Sequence, residues 1–147
     1  MVLQVCQFIA VVGAGLFAGA ALYINVAEHP ARMGLETRIA ARQWSPSYKR
    51  ATWMQGPLAV LSCVSGIGAW LMGAGAAWLV AAALIGMVVP FTFAGIMPTN
   101  HRLLEPDRDL GSDETRMLLE RWGHLHAVRT ILGILATMLY TWLLVAT

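Results

Sequence analysis

The stretch Arg121-Trp122-Gly123-His124-Leu125-His126-Ala127-Val128-Arg129-Thr130 opens the last long apolar run of the chain. From 122 to 146 the only charged residue is Arg129, and the run is long enough to cross about 30 Å of hydrocarbon as a helix. At helical spacing Trp122, His126, Arg129 and Gly133 fall on one face. An imidazole and a guanidinium are thereby carried into an otherwise apolar segment, where polar side chains are expensive and are kept for a partner or a role. A bundle of apolar helices gathered around that face is the fold this stretch implies.

The remainder of the chain repeats the signal. The sequence is 58% hydrophobic and 12% charged, a membrane composition. A first run, about 2–27, is uncharged as far as Ala27. No basic residue precedes it, so it is expected to be a retained span and not a cleaved leader. A second span is expected at about 57–72 and a third at about 77–97, with the fourth at 122–146. One domain, 1–147, accounts for the length. Gly15 and Gly19, with Ala14 and Ala18, form a small-residue stripe suited to close helix packing. Ser45-Pro46 reads as a helix start ahead of span two, Gly73-Ala74-Gly75-Ala76 as a tight connection, and Ser112-Asp113-Glu114 as the start of the last helix. Pro30 should weaken the first helix, Pro98 should end the third, and Pro90 should free a carbonyl that Thr92 could satisfy. A helix from 113 to 146 would be roughly 50 Å long, more than a bilayer.

Charge sets the expected orientation. Arg32, Arg38, Arg42, Lys49 and Arg50 lie between the first two spans, and Arg102, Arg108, Arg116 and Arg121 between the last two; the middle connection carries no cation. The positive-inside rule places those two loops in the cytoplasm and both termini outside. The expected architecture is all-α: an integral membrane antiparallel four-helix bundle in the inner or cytoplasmic membrane, helices two and four extending beyond the bilayer on the cytoplasmic side. The formal net charge of +2 argues against a nucleic-acid partner. The lipid bilayer and a lipophilic small molecule are the expected partners, and a homo-oligomer remains open.

His29, His101, His124 and His126 all fall at the cation-rich end, with Asn25, Glu28, Asn100, Trp122 and Arg129 at the same level. His101 and His124 read best as solvent-facing. His124 and His126 lie about 200° apart on a helix, so one alone points inward, and the helical wheel selects His126. Glu28 and Arg129 are expected to pair, since each is too deep to stand alone. Two chemistries fit. In one, a neutral histidine (His126 or His29) takes a proton from an acidic carbon or phenol while Arg129 and Asn100 stabilise the anion. Trp44, Tyr48 and Gln55, which share a face, and Trp122 would then hold a flat substrate. In the other, His29 and His126, with Glu28, bind copper, iron or a haem for redox work. A non-enzymatic scaffold with a polar docking face is the third reading. Cys6 and Cys63 form no ligand or disulfide pattern.

Four segments together resemble a known family. They are Tyr23-Ile24-Asn25-Val26-Ala27-Glu28-His29-Pro30-Ala31-Arg32, Trp44-Ser45-Pro46-Ser47-Tyr48-Lys49-Arg50, Pro98-Thr99-Asn100, and Arg121-Trp122 with Leu125-His126-Ala127-Val128-Arg129-Thr130. In this order they are similar to the anthrone oxygenase-like family of small four-span membrane proteins, over nearly the whole chain. The resemblance implies oxidation of an anthrone-like or phenolic compound by O2, with no flavin or nicotinamide required. It carries Asn25, Glu28, His29, Trp44, Asn100, Trp122, His126 and Arg129 over as matching positions. His101 and His124 stand where that pattern usually has other polar or basic residues, which weighs against a four-histidine metal site.

Overall fold

In the computed structural model, which describes residues 1–146, four long helices account for nearly the whole chain: α1 (Val2–Met33), α2 (Thr37–Ala74), α3 (Ala76–Leu103) and α4 (Asp113–Val145). Each is long and apolar enough to cross a membrane, and no strand occurs among the described residues. α1 packs against α2 and α4, and α3 packs against the same two, closing a ring. The connections α1–α2 and α3–α4 share one end of the bundle. There Arg38 meets Asp109 at 3.1 Å, and Arg116 donates to the Leu35 carbonyl at 3.0 Å. The outer faces are apolar, as Phe8, Leu16, Val64, Leu71, Ile131 and Met138 illustrate. Of the single-domain expectation, Thr147 lies outside the described residues.

Several expectations about helix ends meet a different outcome, and proline position explains most of them. α2 starts at Thr37 after an extended Glu36, not at Ser45, and runs through both Pro46 and Pro57. The carbonyls that these prolines cannot bond belong to Arg42 and Trp53, residues on the exposed side of the helix. α1 does not stop near Ala27, and α3 continues past Pro98. In each, a wide π turn absorbs the proline, Ile24–Glu28 in α1 and Thr92–Ile96 in α3. Each π turn ends two residues before its proline (Pro30, Pro98), closing with an i→i−5 bond, His29 N–H to Ile24 O and Met97 N–H to Thr92 O. Widening the turn relieves the ring's conflict with the preceding carbonyls without breaking the helix. Thr92 donates to the Val88 carbonyl at 2.7 Å, not to the Gly86 carbonyl that Pro90 frees.

Other starts and stops follow the local chemistry. Ser112 caps α4, its hydroxyl accepting from Thr115 N–H at 3.2 Å, with Asp113 and Glu114 in the first turn. Gly73 and Gly75 turn the chain between α2 and α3 with φ of 90° and 99°, a region side-chain-bearing residues avoid. Of the expected stripe, Ala14 and Ala18 are buried, Ala18 beside Gly133 of α4, while the close approach of α1 to α2 comes at Gly13. A Cβ on Gly13 would lie 3.1 Å from that of Ser62, whereas Gly19 faces open space. Two apolar cores result. One centres on Phe17, Trp78, Ile85 and Tyr140; the other, nearer the charged end, on Ile24, Trp44, Leu119 and Trp122. The polar side chains Asn25, Gln55, His126 and Arg129 occupy the level where the two cores meet.

Candidate active site

His126 is 1% exposed and is held by one nitrogen. Its Nδ1 lies 2.7 Å from Asn25 Oδ1. The orientation of the Asn25 amide is fixed independently, because its Nδ2 donates to the Gly123 carbonyl at 3.1 Å. Thr130 Oγ1 also donates to Asn25 Oδ1, at 2.5 Å. Oδ1 is therefore the acceptor, His126 Nδ1 carries the proton, and the acceptor lone pair of the neutral ring sits on Nε2. The π turn in α1 contributes Asn25 to this contact, and such turns often accompany functional sites.

His29 is arranged in the opposite sense. Its Nδ1 faces Arg32 Nη1 at 3.2 Å, and a guanidinium can only donate. That nitrogen is thus committed to structure. Gly123 makes room for this ring: a Cβ there would come within 2.4 Å of His29 Nε2. Trp122 touches both histidines, tilted against His29 at 5.3 Å and stacked on His126 at 4.9 Å between centroids. No three His, Cys, Asp or Glu side chains converge as a metal-holding group among the described residues. His124 and His101 are exposed, as expected of both, His101 in the last turn of α3 and His124 on the outward face of α4.

The expected pairing of Glu28 with Arg129 does not form. Glu28 takes Arg32 instead, one turn along the same helix, with Nη2 to Oε1 at 2.5 Å. Arg32 is 3% exposed and also bonds Gln43 and Ser47, and its guanidinium lies 5.8 Å from the Trp122 ring. The i,i+4 spacing of Glu28 and Arg32 was readable from the chain, but nothing local marked Arg32 as the deeper of the two arginines on offer. Ser47, Gln43 and Thr130 join the site for the same reason: each lies a turn from a named residue, but on a face only packing could select. Glu28→Gln should lower the thermal stability of the detergent-solubilised protein by about 2 kcal/mol. That is less than the roughly 3–5 kcal/mol of a fully buried broken pair, because the Glu28 side chain keeps 23% of its exposure. Removing both charges, Glu28→Gln with Arg32→Met, should recover most of the loss. An unchanged melting temperature in the single variant would mean the pair is solvated.

Arg129 is consequently a buried cation with no carboxylate partner among the described residues. It is 8% exposed; Nη2 donates to Gln55 Oε1 at 3.0 Å, its guanidinium lies 5.6 Å from the Phe17 ring, and Nε has no partner. Gln55, 1% exposed, leaves its Nε2 unpartnered, and so do the indole nitrogens of Trp44 and Trp122. Buried donors without acceptors are uncommon and call for a reason. Asn100 is fully buried with both amide atoms unpartnered, but it does not line the space around His126. Gln55, expected as a substrate contact, takes the position foreseen for Asn100 beside Arg129. Trp44 and Tyr48 stack on one another at 5.0 Å and 2°, and Trp122 meets Trp44 edge-on, so these rings already cover part of each other's faces.

His126, Arg129, Gln55, Trp122, Tyr48 and Thr52 line a small chamber of about 10 Å³, the space of one water. A histidine ring with its Nδ1 held, a buried cation and an amide N–H thus share one small compartment. Such a compartment can remove a proton and hold the anion that results.

Comparison with known proteins agrees with the four-segment resemblance. Residues 44–139 match the sequence profile of the family described as anthrone oxygenase. The chain is also 26% identical over 145 residues to anthrone oxygenase tpcL of Aspergillus fumigatus, an alignment covering 92% of this chain and 90% of that protein. No solved structure matches the chain.

Proposed function

The chain belongs to the anthrone oxygenase family, and from that premise we propose that it oxidises a lipophilic anthrone-like or phenolic compound with O2 as co-substrate. The observation that carries this reading is the buried Arg129 guanidinium, with no carboxylate partner among the described residues, in one chamber with the His126 ring. An isolated buried charge is costly, and an anion formed in the chamber would compensate it.

The reaction divides into steps that the side chains can serve. His126 Nε2 takes a proton from the acidic methylene of the anthrone. The electron pair left behind delocalises onto the ring oxygen, facing Arg129 and the free N–H of Gln55. This electron-rich enolate gives an electron to O2, and the two radicals join as a peroxide on the same carbon. The imidazolium returns its proton to make the hydroperoxide. Removal of the second hydrogen as a proton, with cleavage of the O–O bond, leaves a quinone carbonyl and water. Substrate plus O2 thus becomes quinone plus water, with O2 as the sole oxidant. Asn25 and Thr130 are positioning residues that hold the tautomer, and the Glu28–Arg32–His29 cluster braces Trp122 against His126.

Purified protein supplied with an anthrone should consume O2 and form the anthraquinone in equal amounts, and the rate should survive chelators. Activity lost to a chelator and restored by one metal would favour the redox-metal alternative. No turnover on any anthrone or phenol tested would sink the oxygenase reading. Independently of the reaction, the cation distribution argues that the loops rich in arginine, and the longer ends of α2 and α4, lie in the cytoplasm. A C-terminal reporter active only in the cytoplasm would reverse that orientation.

A further inference from the structure

The chamber around His126 is far too small for the compound it would act on, so the body of that compound must lie in an adjoining space. Two clefts adjoin it. One, about 560 Å³, opens between α1 and α2; it shares Ile24, Ser47 and Ala51 with the chamber and is otherwise marked by Glu28, Gln43 and Arg50. The other, about 190 Å³, opens between α2 and α3. This smaller cleft alone shares Arg129 and Gln55 with the chamber, together with Tyr48 and Thr52. Its outer part is apolar, with Val60 at 51% and Phe93 at 65% exposure near the mouth.

We propose that the α2–α3 cleft is the ligand-binding subsite and the lateral route from the bilayer, and that it takes a lipophilic aromatic compound whose single acidic oxygen end reaches Gln55 and Arg129. The proposal rests on the reaction proposed above for the choice of compound, but not for the existence of the subsite. Its independent support is the pair of unpartnered donors at the inner end, Gln55 Nε2 and Arg129 Nε, on side chains 1% and 8% exposed. At about 190 Å³ the cleft is below the roughly 300–1,000 Å³ that usually encloses a drug-sized ligand. The ligand is therefore held by its polar end and inner ring, with the remainder against lipid. The larger cleft is ruled out as the seat of the acidic end because neither unpartnered donor reaches it.

Gly56 makes the cleft testable. It lines the wall, and a Cβ built there meets no atom within 4 Å, so a side chain would grow into open space. The probe is 1-hydroxyanthraquinone, flat, phenolic and already oxidised. Its binding to the full chain in nanodiscs is followed by quenching of tryptophan fluorescence. Gly56→Phe, which plugs the wall, and Val60→Trp, which plugs the mouth, should each weaken binding by at least about tenfold. Ala20→Phe, which fills the α1–α2 cleft, should leave Kd within about twofold. Loss confined to Ala20→Phe, equal effects in all three variants, or no binding by the unmodified protein would overturn the assignment. Turnover separates the two ideas. If binding follows the expected pattern but no anthrone is oxidised, the reaction fails and the subsite stands. If oxidation continues at full rate with the cleft plugged, the subsite fails and the reaction stands.

Discussion

His126→Ala should reduce the rate of anthrone oxidation by about 10²–10⁴-fold, the usual contribution of a positioned base. The expectation rests on asymmetry between the two inward histidines. In His126, Nδ1 is bound to Asn25 and the proton-accepting nitrogen is Nε2, on a ring that lines the chamber. In His29, Nδ1 accepts from Arg32, and the ring does not line the chamber. His29→Ala should therefore act mainly through stability and through loosened support of Trp122. Its effect on rate should be reduced by any condition that restores folding. Asn25→Ala supplies a sharper control: it leaves His126 in place but releases its tautomer, so kcat should fall while substrate affinity changes little. Full activity in His126→Ala would remove the base assignment, and equal catalytic losses at both histidines in folded protein would remove the asymmetry.

The second large effect is a separation of activity from stability at Arg129. Arg129→Met should cost about 10²–10³-fold in rate, the scale for deleting one preorganised anion-stabilising donor in a water-poor site. Most buried cations cannot be removed without cost to the fold, because a buried carboxylate is left behind. Here the protein acceptor among the described residues is the neutral Gln55 Oε1. Loss of the guanidinium strands that amide at roughly 1–3 kcal/mol, against the relief of a buried charge that no carboxylate compensates. The single variant should melt near the unmodified protein, and Arg129→Met with Gln55→Leu should melt higher. This is the reverse of the behaviour expected at Glu28 and Arg32, where one member of a true ion pair is lost. A marked drop in melting temperature in the double variant would mean that Arg129 is a structural cation.

Much of this protein is set by local pattern. Uninterrupted apolar length specified four helices. The 3.6-residue period placed Trp122, His126, Arg129 and Gly133 on one buried face and turned His124 outward. Ser112 and the two loop glycines marked turns whose geometry depends on neighbours in sequence alone. What tertiary structure decided is every choice between partners on different helices. Periodicity gives the face of a helix but not its rotation against a neighbour or its vertical register. Glu28 could therefore be assigned to Arg129 on depth, while packing gave it Arg32 and left Arg129 to Gln55. Packing likewise kept Asn100 out of the chamber, brought Gly13 to the α1–α2 contact, and chose which nitrogen of His126 is held. Prolines 30 and 98 show the limit from the other side. A proline tells that an i→i−4 bond is lost, but whether the helix ends or widens depends on whether neighbouring helices hold both halves in line, as they do here.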